Sequence, residues 1–138
     1  GPWGRPDMAL FKFTKAIEDG KKLELFNRGN HIRDFTYVDD ITVSIKKLIK
    51  KQKKSKVPYQ VFNIGSGNPQ KLTKFLFWIE QELKKKSSKI MRNFQLGDVF
   101  KTHADISALT KKIKFKPKTN INLGIKEFIR WYKEYYNK

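Results

Sequence analysis

Residues 59–83 read YQVFNIGSGNPQKLTKFLFWIEQEL. Tyr59, Val61, Phe62 and Ile64 give the first six residues the β-branched and aromatic content of a strand. Gly65-Ser66-Gly67-Asn68-Pro69 follows as a turn. Leu72, Phe75, Leu76, Ile79 and Leu83 then recur at helical spacing, and Lys84, Lys85 and Lys86 suit the negative end of that helix. A strand, a glycine turn and a helix in succession form the unit from which α/β folds are built. A turn in this place can also cradle a phosphate at a helix N-terminus. It lacks the third glycine of the dinucleotide fingerprint, and no parallel-sheet unit precedes it, so it reads as a plain turn.

The same alternation continues on both sides. Asp7 stands where it can cap a helix from Met8 to Asp19, which Gly20 ends. KKLELF (21–26) and RDFTYV (33–38) read as strands. Asp39-Asp40 reads as the cap of a helix with Ile41, Ile45, Leu48 and Ile49 on one face. Beyond the central unit, KIMRNF (89–94) reads as a strand and DISALTKKI (105–113) as a short helix capped by Asp105. A last helix from Asn122 to Tyr136 offers Leu123, Phe128, Ile129, Trp131, Tyr132 and Tyr135 for apolar contact. No repeat or linker interrupts the pattern, so residues 1–138 read as one α/β domain.

Composition narrows the chemistry. The chain has 138 residues, no cysteine and a net charge of +18. Without thiols there are no disulfides and no cysteine zinc sites, which suits a reducing, cytoplasmic setting. No apolar run approaches the ~20 residues that span a bilayer, and no secretory signal precedes the first helix, so no membrane role is expected. Gly1-Pro2 fits a cleavage scar and native sequence equally.

The charge points to an anionic partner. Only Arg5, Arg28, Arg33, Arg92 and Arg130 of the 31 basic residues are arginine, however, and base readout favours arginine over lysine. The lysine run from Lys46 to Lys56 therefore reads first as a solvated helix end, with a nucleic-acid-binding module as the alternative. His31 and His103 stand far apart, and a lone histidine without a ligand set is more often structural or exposed than a metal ligand. No strand-Ser-helix elbow offers a nucleophile.

Several stretches together resemble one family: GPWGRPDMALFKFTKAI, RDFTYVDDI, FNIG, GDV followed by THAD, and the closing aromatic helix. They are similar to the UDP-glucuronate 4-epimerases, extended short-chain dehydrogenase/reductases, over essentially the whole chain. The resemblance is to the C-terminal, substrate-binding part only. The family's Gly-x-x-Gly-x-x-Gly turn for NAD and its Tyr-x-x-x-Lys pair for proton transfer are not found in this sequence. The resemblance therefore implies a few elements of a Rossmann sheet whose remainder lies elsewhere. It places NAD in a separate N-terminal half, and no catalytic or cofactor-binding residue here.

In such enzymes hydride passes from the sugar C4 to NAD and returns to the other face, while the C-terminal part holds the nucleotide diphosphate. The resemblance implies that Arg33 pairs with the diphosphate, a task for which a planar, permanently charged guanidinium is suited. It sets the backbone at Glu24, Leu25 and Phe26 against uracil, and Gln95 and Asp98 near phosphate and ribose. It sets Arg5 against the sugar carboxylate, whose desolvation a charge-assisted pair would offset. The family usually has proline where Leu96 stands, so a less rigid phosphate loop is expected. The implied partner is a UDP-sugar of the glucuronate/galacturonate type, with a UDP-sugar decarboxylase or dehydratase as the enzyme alternative. The implied behaviour of the chain by itself is binding without turnover, with self-association or docking to a separate NAD-binding half through exposed apolar surface.

Overall fold

A computed structural model describes residues 1–51 and 59–137. Among the described residues five helices carry the architecture: α1 (Ala9–Glu18), α2 (Val38–Lys50), α3 (Leu72–Leu83), α4 (Ser107–Ile113) and α5 (Ile121–Tyr136). Four short strands join them: β1 (Leu23–Leu25), β2 (Ile32–Arg33), β3 (Gln70–Lys71) and β4 (Lys89–Met91). Among the described residues these form two two-stranded sheets, β1 with β4 in parallel and β2 with β3 antiparallel.

The core lies where α1, α3 and α5 meet over β1. Phe11, Ile17, Leu25, Leu76, Ile79, Phe128 and Tyr132 are among its buried members. The spacing of Phe75, Leu76, Ile79 and Leu83 places one face of α3 in this core, as expected. In α5 the buried set is Ile125, Phe128, Ile129 and Tyr132, whereas the expected core residues Leu123 and Tyr135 are 49% and 54% exposed. Tyr135 instead stacks on Trp131 and meets Trp3, whose centroid lies 5.1 Å from its own. Gly20 ends α1 as expected, at φ +65 with Lys21 N–H on Ala16 O at 2.8 Å.

Four local expectations are corrected. Asp7 does not cap α1, because Arg5 two residues earlier takes both of its carboxylate oxygens. Asp40 is no helix cap either: it is buried, and its Oδ2 accepts Thr119 N–H at 2.9 Å, which ties α2 to the loop before α5. RDFTYV is a strand only at Arg33, and YQVFNI forms no strand. A strand needs a partner, and no described strand pairs with residues 34–38 or 59–64. The apolar face of α2 is uncovered for the same reason, with Ile45 at 44% and Ile49 at 62% exposed. The Lys46–Lys56 run is described only as far as Lys51, and its remainder lies outside the described residues.

Lys84, Lys85 and Lys86 do more than complement a dipole. Lys84 takes the left-handed conformation that ends α3, and Lys85 pairs with Glu18 at 3.0 Å. Buried Glu80 accepts the Ser87 N–H at 3.0 Å and faces Lys89 at 3.0 Å. Burial opposes its charge, but the Ser87 and Lys89 contacts outweigh that and hold the carboxyl below its ordinary value.

Candidate nucleotide-diphosphate site

β2 is short, and it is held from two sides. Ile32 pairs with Lys71 of β3 and also bridges Lys101 in parallel. Its N–H donates to Phe100 O at 3.0 Å, and its carbonyl accepts Thr102 N–H at 3.1 Å. The loop from Gln95 to Thr102 is thereby pinned beside Arg33.

The Arg33 guanidinium is oriented before any ligand arrives. Its Nη1 donates to Ile32 O at 3.0 Å and to Phe100 O at 3.1 Å, and its Nη2 donates to Asp98 Oδ1 at 2.9 Å. A guanidinium has five N–H donors. The Nε hydrogen and the second Nη2 hydrogen have no protein partner among the described residues, so both are available to phosphate oxygens. The side chain is 26% exposed, so the group is sheltered and still reachable.

Asp98 is committed more fully than a free carboxylate. Its Oδ1 also accepts Val99 N–H at 2.8 Å, and its Oδ2 faces His31 Nε2 at 3.1 Å. Oδ1 has both lone pairs in use, so only Oδ2 retains capacity for a ligand hydroxyl. The adjoining turn is closed by Asp98 N–H on Gln95 O at 3.1 Å, with Gly97 at φ +83. A positive φ at the third of four turn residues is the type II signature, and glycine supplies it. Leu96, at the second position, is 96% exposed, and the turn closes with leucine there.

The stretch Glu24 to Phe26 runs along β1. Leu23 N–H donates to Ser88 O and Leu25 O accepts Arg92 N–H, both at 2.9 Å. In a parallel pair alternate residues turn to the partner, so the Glu24 backbone faces the opposite edge of β1, where no strand pairs among the described residues. The Glu24 side chain is engaged by Arg92 at 2.6 Å. Phe26 opens a 3-10 turn (Phe26–Gly29) that carries the chain towards His31.

Arg5 is set apart from this group. It is an exposed fork on Asp7, with Nε at 3.0 Å from Oδ1 and Nη2 at 2.5 Å from Oδ2. A cavity of ≈ 420 Å³ is lined by Arg33, Asp34, Tyr37, Thr102 and Asn120, with Gly1 and Met8 from the opening segment, but not by Arg5.

Asp34 explains the glycine turn. Its Oδ2 accepts Gly67 N–H at 3.1 Å and Ala104 N–H at 3.0 Å, and its Oδ1 accepts the Ser66 hydroxyl. Thr36 Oγ1 accepts Ser66 N–H at 3.0 Å. Burial alone would raise the Asp34 pKa, but the donors from Ser66, Ala104 and Gly67 outweigh it and hold the carboxyl below its ordinary value. Gly65 packs so closely that an added Cβ would stand 2.5 Å from Ala104 Cβ. The turn that could have held a phosphate therefore directs its donors at the protein's own carboxylate.

Of the residues expected at the site, the fold brings together Arg33, Asp98 and Gln95. It places Glu24 and Leu25 on β1, with Phe26 at the start of the turn that follows, and leaves Arg5 outside. Sequence reasoning missed His31, which is 3% exposed. The available signal was its spacing: residues 31 and 33 share a face in extended backbone, and both meet Asp98. Among the described residues no group of three His, Cys, Asp or Glu could hold a metal, and no helix is long and apolar enough to cross a membrane.

Comparison with known proteins gives this geometry its relatives. Residues 1–65 match the NAD dependent epimerase/dehydratase family. The chain is 45% identical over 152 residues to Protein CapI of Staphylococcus aureus, covering 100% of this chain and 46% of that protein. It is 40% identical over 150 residues to UDP-glucuronate 4-epimerase 4 of Arabidopsis thaliana, covering 99% of this chain and 34% of that protein. A solved UDP-glucuronic acid 4-epimerase from Bacillus cereus, in complex with UDP-glucuronic acid and NAD, matches with a TM-score of 0.88 at 27% identity, over 99% of this chain and 43% of that one. The chain spans less than half the length of the curated relatives it matches. It carries part of the NAD dependent epimerase/dehydratase family domain and is homologous to the UDP-glucuronate 4-epimerases.

Proposed function

We propose that this chain is the UDP-sugar-binding portion of a nucleotide-sugar 4-epimerase of the UDP-glucuronate to UDP-galacturonate type. In this reading residues 1–138 form one nucleotide-sugar-binding domain in a cytoplasmic enzyme. The observation that carries the reading is Arg33, fixed by two carbonyls and Asp98 with two donors left over. That is the arrangement a diphosphate requires: a charge already aimed, with no orientation left to impose on binding. The outward edge of β1 at Glu24 offers one backbone N–H and one C=O, which suit the acceptor and donor edge of uracil. Asp98 Oδ2 takes one ribose hydroxyl, and Gln95 lies beside it on the same turn. Arg5 meets the sugar carboxylate only after releasing Asp7.

NAD and the proton-transferring tyrosine belong to a part of the enzyme outside this sequence, so the chain by itself binds without turnover. The exposed face of α2 and the unpaired 59–64 stretch are the surfaces that such a part would cover.

Calorimetric titration with UDP tests the reading. Arg33→Ala should remove about 2–4 kcal/mol of binding free energy, the scale of losing a sheltered charge-assisted pair. Unchanged affinity in that variant, or epimerisation of UDP-glucuronate by the chain with NAD added, would overturn it.

A further inference from the structure

Asp98 is faced by one buried residue that diphosphate binding leaves without a task. His31 is 3% exposed, and its Nε2 has no hydrogen-bond partner, although it lies 3.1 Å from Asp98 Oδ2. The separation is that of an ion pair, while the alignment is not that of a hydrogen bond. A buried polar atom without a hydrogen bond is uncommon and calls for an explanation in the site it faces. Its surroundings are ordered: the His31 carbonyl accepts Leu72 N–H at 2.8 Å, and its ring lies 5.7 Å from that of Phe94.

We propose that His31 is the positioning residue of this site, setting the Asp98 carboxylate that in turn aims Arg33 at a nucleoside diphosphate. The inference rests on the diphosphate reading above. Oδ1 is occupied by Arg33 Nη2 and Val99 N–H, so the carboxylate can still swing about those bonds unless something meets Oδ2. His31 meets it from the buried side. A ligand hydroxyl arriving from solvent takes the remaining capacity of Oδ2, and the imidazole can then turn into line as a donor. His31 thus acts on the ligand only through Asp98.

That dependence gives a test which a merely structural histidine would fail. UDP affinity is measured by calorimetry for the wild type, His31→Leu, His31→Gln, Asp98→Asn and the His31→Leu/Asp98→Asn double variant. Thermal unfolding checks that each remains folded. His31→Leu should weaken UDP about ten-fold, the lower end of what orienting partners contribute elsewhere. His31→Gln, which keeps a donor near Oδ2, should recover most of that loss. The double variant should bind no more weakly than Asp98→Asn. Losses that multiply in the double variant would overturn the proposal, as would a His31→Leu variant that is folded and binds as the wild type does.

A second readout needs no ligand. The imidazole nitrogen resonances of His31 should shift between the wild type and Asp98→Asn. Unchanged resonances refute the His31–Asp98 link even where UDP binds. If the resonances shift and UDP fails to bind the wild type, the diphosphate reading falls and the proposal, which depends on it, falls too.

Discussion

Removing the Asp34 carboxylate should release two segments at once, the Ser66-Gly67 turn and the chain at Ala104. Asp34→Ala leaves the Gly67 N–H, the Ala104 N–H and the Ser66 hydroxyl without their acceptor. Hydrogen bonds to a charged group contribute about 1.5–3 kcal/mol each. Asp34 is half-buried, so water replaces part of what is lost, and the net cost comes to about 3–4 kcal/mol. For a chain of this size that corresponds to a fall in Tm of roughly 10–15 °C.

Asp34→Asn separates charge from shape. Its amide oxygen can serve the two N–H groups while Ser66 turns to accept from the NH₂, so it should cost only about 1 kcal/mol. The pH dependence follows from the direction of the shift. Asp34 titrates in the folded chain below the ordinary value of 3.8, so the unfolded chain takes up its proton first as pH falls. Its contribution is complete above the unfolded pKa, and it is lost as pH falls through the folded one. Thermal melts from pH 7 to pH 2.5 should therefore show an acid loss in the wild type that is smaller in Asp34→Asn. An Asp34→Ala variant destabilised by less than about 1 kcal/mol, or an Asn variant with the wild-type acid slope, would refute the reasoning.

Three further outcomes are expected. Leu96→Pro places proline at the second position of a type II turn, where it is favoured, and removes an exposed leucine that packs on nothing. It should raise stability by about 0.4–1 kcal/mol in thermal melts without weakening UDP, and destabilisation would contradict the turn assignment. Arg5→Ala should weaken UDP-glucuronate more than UDP-glucose, and Asp7→Asn should tighten UDP-glucuronate by removing the competing carboxylate, with equal effects on both sugars refuting the role of Arg5. With Val38, Ile45, Ile49, Tyr59 and Val61 each at least 40% exposed, sedimentation should find the chain self-associating as concentration rises, and a strict monomer would count against a covered α2 face.

The helices of the core were legible because their information is local. Phe75, Leu76, Ile79 and Leu83 repeat within twelve residues, and the repeat itself dictates which face is buried. Arg33 and Asp98 were reachable only through likeness to a family, since 65 positions separate them and nothing local links them. His31 shares a face with Arg33 by spacing, but nothing local links it to Asp98, which lies on a distant loop. RDFTYV and YQVFNI failed as strands because pattern specifies a surface that wants a partner, and a strand exists only once the partner is present. Asp7 and Asp40 failed as caps because each found a different donor, one two residues away and one 79 away. Side chains that cap helices well are also those that bind anything else within reach.

Ile32 holds β3 on one side and the Phe100–Thr102 stretch on the other. A two-residue strand so placed is a rigid coupling between the first turn of α3 and the loop that carries Asp98. Sequence drift on either side is therefore not independent. A change at Lys71 or Leu72 that moves the entry of α3 displaces the Asp98 loop, and only a compensating change near residues 98–102 restores its aim. Paired substitutions across Ile32 are the pattern this coupling leads one to expect.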